Sequence, residues 1–98
     1  MASRTISTTA ETLFLRNRLR KSFSIQNEDA TINVFIKQER VETPTVSATD
    51  HDHRVSAGNG IAINTTTDGL EAIQDRWTII AASGTPRVSF FETEDVVR

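Results

Sequence analysis

The sequence predicts an all-β fold, a small antiparallel β-sandwich or jelly roll with an extended N-terminal arm. Three observations lead to this fold class. From residue 22 onward, apolar side chains alternate with polar ones, which is the two-residue period of a half-buried strand. Turn-forming residues recur about every eight to twelve positions, as they do between the short strands of a sandwich. No stretch shows the apolar spacing of a helix of ordinary length.

The first part of the chain differs from the rest. The stretch RTIST favours an extended arm or a first strand. Thr8 and Glu11 have the spacing of a capping box, which predicts about one helical turn over residues 9–14. We therefore expect an N-terminal arm over residues 1–15 and a single β-sandwich domain over residues 16–98. A chain of 98 residues leaves little room for a second core.

The first strand pair of the predicted domain follows directly. SFSIQN and TINVFIK each place apolar residues at alternate positions. The polar run over residues 27–30 between them is typical of a turn, so the two strands are predicted to form a hairpin. Phe35 breaks the polar side of its strand. It therefore either packs against a second layer or contacts a partner, and we favour the partner.

The middle of the chain is mostly connection. QERVETPT is polar and contains Pro44, TVSA has the composition of a short strand, and TDHDHR is predicted to be a polar loop or a sheet edge. VSAGNGIAIN indicates two strands around a Gly-Asn-Gly turn, with Ile61 and Ile63 facing inward. TTTDG predicts a further turn, because glycine tolerates a positive φ.

The stretch WTIIAASGTPRVSFFE contains the most apolar strand of the chain. Residues 77–82 are apolar on both faces apart from Thr78, which is typical of a central strand covered on both sides. Gly84 and Pro86 favour a tight turn, and the following RVSFFE returns apolar side chains to the core face. We therefore expect a core hairpin whose second strand closes the fold.

Composition limits the chemistry that is available. The chain has no cysteine, which excludes disulfides, thiolate nucleophiles and cysteine metal sites. It shows neither the apolar run of a signal peptide nor one of membrane-spanning length, so we expect a soluble protein. Five basic residues and one acidic residue occur through Lys21, and six basic and twelve acidic residues follow. This basic segment could dock on an acidic surface, including that of another copy, but a solvated basic edge is the favoured interpretation.

The basic run RNRLRK supplies the candidate partner contacts. Its three guanidinium groups belong to Arg16, Arg18 and Arg20. Nucleic-acid binding is not expected, because no aromatic stacking residues are interleaved with them and the rest of the chain is acidic. Guanidinium groups pair bidentately with carboxylates at protein interfaces, so a protein partner is the better interpretation.

One cluster, DHDH over residues 50–53, has the character of a metal site. On an extended backbone, His51 and His53 would share a face, as two metal ligands must. The spacing resembles the His-x-His motif of cupins, but Ala57 or Gly58 stands where that family has a glutamate, and Thr45 where it has a glycine. A metal shared across an oligomer axis, as in trimeric phage spike tips, is another interpretation. We favour a solvated polar loop and expect no metal, with His51 and His53 as the only candidates. No cofactor is expected.

No catalytic constellation is present in the sequence. Serine and threonine are frequent, but none stands in a G-x-S-x-G elbow. GNG and SGT are turn sequences and not phosphate-binding loops, since neither is followed by a helical pattern. We therefore do not expect an enzyme. A carbohydrate-binding sandwich is a further alternative, although one tryptophan and no tyrosine provide few aromatic platforms.

Three segments in order, RKSFSIQNEDATINVFIK, AGNGIAI and DRWTIIAASGTPRVSFFE, carry a family resemblance. Their layout is similar to one that recurs in small β-sandwich virion proteins of tailed bacteriophages. The similarity covers about residues 20–92 and lies mainly in core and turn positions. It implies the same kind of sandwich and a structural, non-enzymatic role.

This resemblance implies a capsid decoration (cement) protein that is assembled in the host cytoplasm and lies on the capsid surface. It would bridge and stabilise subunits of the major capsid protein as a homo-oligomer, without binding nucleic acid or membrane. The expected contacts are Arg16, Arg18, Arg20 and Phe35, with the arm lying across a neighbouring subunit. A neck, tail or fibre-base accessory protein is the alternative within the same class. A cupin-like metal-binding protein is the alternative from another class.

Overall fold

A computed structural model describes residues 2–17, 20–39, 43–64 and 74–94 of the chain. Gln74 is the one described residue in helical conformation. No helix among the described residues is long and apolar enough to cross a membrane. The eight strands are β1 (Ala2–Thr5), β2 (Glu11–Phe14), β3 (Arg20–Asn27), β4 (Val34–Gln38), β5 (His53–Val55), β6 (Gly60–Asn64), β7 (Trp77–Ala81) and β8 (Arg87–Glu94).

The strands form two four-stranded antiparallel sheets that pack together, which confirms the predicted β-sandwich. Sheet A has the order β1-β8-β3-β6, and sheet B has the order β2-β7-β4-β5. Each strand of the first half pairs with its counterpart in the second half: β1 with β8, β2 with β7, β3 with β6, and β4 with β5. The chain is therefore one long two-stranded ribbon, folded back between β4 and β5 and wrapped into two layers. This arrangement is that of a jelly roll.

The core lies between the two sheets and is centred on aromatic rings. Trp77 of β7 and Phe23 of β3 meet nearly edge to face, with ring centroids 5.1 Å apart. Phe14 of β2 lies 4.9 Å from Phe23 and 5.6 Å from Phe90 of β8. Such tilted contacts are the favourable geometry for aromatic pairs. The rest of the core is aliphatic: Ile6, Leu13, Ile25, Val34, Ile36, Val55, Ile63, Ile79, Ala81 and Val88.

The strand pairing corrects the two hairpins predicted from the sequence. β3 and β4 lie in different sheets, and so do β5 and β6, and β7 and β8. The connections over residues 28–33, 56–59 and 82–86 therefore carry the chain from one sheet to the other. Alternation and turn composition are the same in a hairpin and in such a crossing, so neither feature distinguishes them. The central position predicted for β7 is confirmed, since it lies between β2 and β4.

The buried side chain of Asn27 links the two sheets at the end where these crossings lie. Its Nδ2 donates to the carbonyl oxygens of Ile32 at 2.7 Å and Val55 at 3.2 Å. Its Oδ1 accepts a hydrogen bond from the Asp29 amide at 3.1 Å. Because a buried amide requires such partners, Asn27 at the end of β3 positions both the β3–β4 connection and β5 of the opposite sheet.

The N-terminal segment belongs to the sandwich, which corrects the arm predicted over residues 1–15. β1 pairs with β8, with Ala2 opposite Phe90, and β2 pairs with β7. The helical turn predicted over residues 9–14 is wrong. Leu13 and Phe14 of β2 are buried in the core, and this burial outweighs the local capping preference.

The remaining predictions concern the middle of the chain. β5 is the edge strand of sheet B, as predicted for TDHDHR. Ile63 is buried and Ile61 packs against the core, which confirms their inward direction. TVSA contributes one isolated bridge, between Ser47 and Asp50, instead of a strand. The turn predicted for TTTDG lies outside the described residues.

Candidate interaction surfaces

Arg20 is buried within its own chain, which corrects the prediction that it faces a partner. Arg20 is 1% exposed, and its Nε and Nη2 atoms lie 3.0 and 2.9 Å from Oε1 of Glu92. Nη1 donates to the Asp75 carbonyl oxygen at 3.0 Å, and Nη2 donates to that of Leu15 at 2.6 Å. The guanidinium also lies 4.9 Å from the centre of the Phe14 ring. The expected pairing with a carboxylate is present, but the carboxylate is on β8 of the same molecule.

The other two predicted arginines differ in what the structure describes. Arg16 is exposed, and its predicted contact with a partner stays a prediction. Arg18 lies outside the described residues. Next to Arg16, Leu15 is 66% exposed and borders an open cleft of about 410 Å³ that Arg20 and Glu92 also line. This end of the sandwich therefore offers a mixed apolar and basic surface.

Phe35 is covered by the chain itself, so its predicted outward exposure is wrong. It is 7% exposed, and its ring centroid lies 4.6 Å from that of His51. The long β4–β5 connection places His51 over this ring, with Nδ1 of the histidine 3.1 Å from the carbonyl oxygen of Ser47. Phe35 is on the outer face of sheet B, as its alternation predicts, and the connection forms the second layer over it.

His51 and His53 lie on opposite faces of sheet B, which corrects the face they were predicted to share. His51 packs on Phe35 outside the sheet, whereas the ring of His53 is 6.0 Å from that of Trp77 on the core side. A bend at Asp52 interrupts the extended backbone that a shared face requires. Among the described residues, no group of three or more His, Asp and Glu side chains is placed to hold a metal ion.

The carboxylate of Glu39 holds the β4–β5 connection against sheet B. It accepts hydrogen bonds from the Thr45 amide at 3.0 Å, from the Thr45 hydroxyl, and from Oγ1 of Thr78 at 2.6 Å. Nζ of Lys37 lies 3.6 Å from Glu39 and 2.7 Å from Asp50. Burial alone would raise the pKa of Glu39, but the hydrogen bonds from Thr45 and Thr78, together with Lys37, lower it below its ordinary value of 4.5. We interpret this cluster as structural.

The outer face of sheet A carries a patch of uncharged side chains, which we call the neutral patch, and Arg87 borders it by donating from Nη2 to Oγ of Ser3 at 2.8 Å. Two rows of residues across the strands form it, and the strand register defines both rows. None of its side chains is ionisable, and most are short. The first row contains Ser3, Ser89, Gln26 and Gly60, and the second contains Phe91, Ser24 and Ala62.

Phe91 projects from the neutral patch and is 49% exposed. Ser24 lies directly opposite it on β3 and borders a shallow trough of about 340 Å³, lined by residues of β3, β6 and β8. The trough exists because Ser24, Ser89, Gly60 and Ala62 have small side chains or none. Aromatic side chains such as that of Phe91 are enriched in protein contact surfaces relative to the rest of the surface.

The exposure of Phe91 was not predicted from the sequence, although the order of residues in β8 indicates it. Phe90 and Phe91 are adjacent in β8, and successive side chains of a strand point to opposite faces. Since Phe90 packs against the core, Phe91 has to lie outside. The exposure of Phe91 could therefore have been predicted from the inward direction of Phe90.

Comparison of the chain with protein-family models, with curated proteins and with solved structures finds no match.

Proposed function

We propose that this chain is a structural, non-catalytic subunit of a larger assembly, and specifically a bacteriophage capsid decoration (cement) protein. In this role it bridges major capsid subunits on the capsid surface and stabilises the shell. The observation that carries the proposal is the neutral patch with the exposed ring of Phe91. The resemblance of residues 20–92 to small virion proteins supplies the type of assembly.

The neutral patch suits repeated contacts of low individual strength. A surface of small uncharged side chains carries no charge that a partner would have to desolvate, and its hydroxyl and amide groups can donate or accept hydrogen bonds across a contact. The ring of Phe91 adds apolar area at one point of the patch. Many such contacts on one particle sum by multivalency, which is how a small protein can stabilise a large shell.

The described pockets favour binding over catalysis. The trough beside Phe91 is lined by uncharged residues, and the cleft beside Leu15 holds Arg20 and Glu92, which pair with each other. Neither lining places a nucleophile beside a general base, as catalysis by a triad or a dyad requires. A neck, tail or fibre-base role uses the same surfaces and differs in copy number: hundreds of copies per virion for a cement protein, and about a dozen for a neck ring.

The test is binding of the purified protein to undecorated heads of the phage from which the sequence comes. We expect binding that raises the resistance of the heads to heat. Phe91→Ser should weaken binding about tenfold, because covering a half-exposed phenyl ring contributes on the order of 1.4 kcal/mol. Leu15→Ser, at the other large apolar side chain that is exposed among the described residues, is the matched control and should bind like the wild type.

Two outcomes would contradict the proposal at different levels. If the folded wild type does not bind heads, the capsid role is wrong. If the wild type binds and Phe91→Ser binds equally well, the chain is a capsid protein that uses another surface. Circular dichroism of each variant verifies that the sandwich has formed.

A further inference from the structure

We propose that β6, an edge strand of sheet A in the part of the chain that the structure describes, pairs with β6 of a second copy of this chain, antiparallel about a two-fold axis at Ala62. The two copies of sheet A then form one continuous eight-stranded sheet. This inference specifies the self-association within the proposed function, and it depends only on the edge of sheet A, not on a virion role.

The hydrogen-bond pattern shows which backbone groups of β6 face the open edge. The Asn27 amide donates to the Asn59 carbonyl oxygen at 2.9 Å, which makes these two residues a hydrogen-bonded pair. In an antiparallel ladder such pairs alternate, so Ile61 and Ile63 direct their N–H and C=O groups to β3. The N–H and C=O groups of Gly60, Ala62 and Asn64 point the other way.

These outward groups are self-complementary. A two-fold axis at Ala62 places Ala62 opposite its own copy as a hydrogen-bonded pair, and Gly60 opposite Asn64 of the second copy. The same register brings Ile61 beside Ile63 of the second copy on the inner face. Ile61 is partly exposed in the single chain, so pairing covers apolar surface as well as backbone. No charged residues meet.

The other edge strands of the described chain carry features that oppose such pairing. β5 has three residues, and an axis at its centre would place Arg54 opposite its own copy. β2 has an irregular register between Thr12 and Phe14, and begins with the charged Glu11. β1 contains Arg4, which donates to the Thr12 carbonyl oxygen of β2. β6 has five residues with no charge, proline or bulge, and natural edges usually have one of these where pairing is avoided.

Pairing through β6 extends the neutral patch across the dimer. The row Phe91–Ser24–Ala62 continues directly into the same row of the second copy. Five strand spacings of about 4.8 Å then separate the two Phe91 residues, or about 24 Å. A second copy therefore fits this edge better than an unrelated strand, because a two-fold contact uses the same surface on both copies and produces a closed dimer.

Because the chain has no cysteine, a single Ala62→Cys variant gives a clean test on the purified protein alone. Residues paired on the axis have Cα atoms about 5.5 Å apart, which a disulfide can span. We expect Ala62→Cys to form a covalent dimer under mild oxidation. Ala82→Cys, at an exposed alanine of the β7–β8 connection, is the matched control and should stay largely monomeric.

Sedimentation of variants without cysteine completes the test. The wild type and Ala82→Lys should dimerise with the same concentration dependence. Ala62→Lys places two ammonium groups at the axis and should dimerise at least tenfold more weakly. The proposal is overturned if the wild type stays monomeric at every concentration, if Ala62→Lys dimerises like the wild type, or if both cysteine variants cross-link at the same rate. None of these results involves heads, so a failure here is distinct from a failure of the capsid role.

Discussion

At the residue scale, three buried polar side chains fix the connections of the sandwich. Asn27 links the sheets at one end, Arg20 joins the start of β3 to Glu92 of β8, and Glu39 holds the β4–β5 connection. Each has its polar groups matched by partners, as burial requires. These positions suggest that polar residues, as well as the apolar core, determine how the loops of this small domain are placed.

For Arg20 and Phe35, the sequence indicated how the side chain behaves but not which residue it contacts. Arg20 was predicted to pair with a carboxylate, and it does, but Glu92 lies in the same chain 72 positions away. Phe35 was expected on the outer face of its strand, where it lies, but His51 covers it. Both differences have one cause. A local pattern gives the direction of a side chain, whereas its cover comes from residues that only the tertiary fold brings close.

Glu39 makes stability depend on pH in a defined direction. Its pKa in the folded state is below the ordinary 4.5, so the stability it contributes is present above pH 4.5 and is lost as the pH falls through the folded-state pKa. Asp29 acts in the same sense, because hydrogen bonds from the Thr31 and Ile32 amides lower its pKa. Urea unfolding of the wild type should therefore show a free energy of unfolding that decreases from about pH 5 to about pH 3.

Glu39→Gln is the variant that isolates this effect. It keeps the shape of the side chain and removes the charge, so the free energy of unfolding at neutral pH should fall by about 1.5 kcal/mol. The decrease toward acid should also become shallower than in the wild type. An unchanged acid slope in Glu39→Gln would show that other carboxylates produce the pH dependence.

At the scale of the elements, the sequence predicted strands better than strand pairing. β3, β4, β6, β7 and β8 coincide closely with the alternating apolar stretches. The sequence also predicted turns at the connections that the structure places over residues 28–33, 56–59 and 82–86. It did not predict that these connections cross between the sheets, because a crossing turn requires the same glycine and polar residues as a hairpin turn. A first strand was one of two alternatives predicted for RTIST, which overlaps β1, whereas β2 was missed because its four residues carry too short a pattern.

Gly58 and Gly84 allow a prediction about two of these crossings. Both have a positive φ, 73° and 59°, which costs a residue with a Cβ atom about 1–2 kcal/mol. An added Cβ meets nothing within 4 Å at Gly58, but lies 3.0 Å from Cδ1 of Ile32 at Gly84. Gly84→Ala should therefore destabilise the protein more than Gly58→Ala, as measured by thermal or urea unfolding. Equal losses would show that the contact with Ile32 relaxes freely.

At the scale of the whole molecule, the nested pairing joins the two ends of the sequence. β1 pairs with β8, so the fold is complete only when residues more than 80 positions apart have met. Such pairing explains why the class of the fold could be predicted from the sequence and its topology could not, since no local pattern spans that distance. The uneven distribution of charge along the chain also contributes to joining its two ends, because Arg20 of the basic N-terminal segment binds Glu92 of the acidic remainder. We place the contacts with capsid subunits on the neutral patch of sheet A.

We claim that sheet A is the contact side of the molecule. Electron cryo-microscopy of heads incubated with the protein, at a resolution that separates strands, tests this claim most directly. We predict density for the chain with the outer face of sheet A, including Phe91, against capsid subunits, and with sheet B toward solvent. Density in which the neutral patch faces solvent, or decorated heads that contact the chain only through sheet B, would contradict this placement.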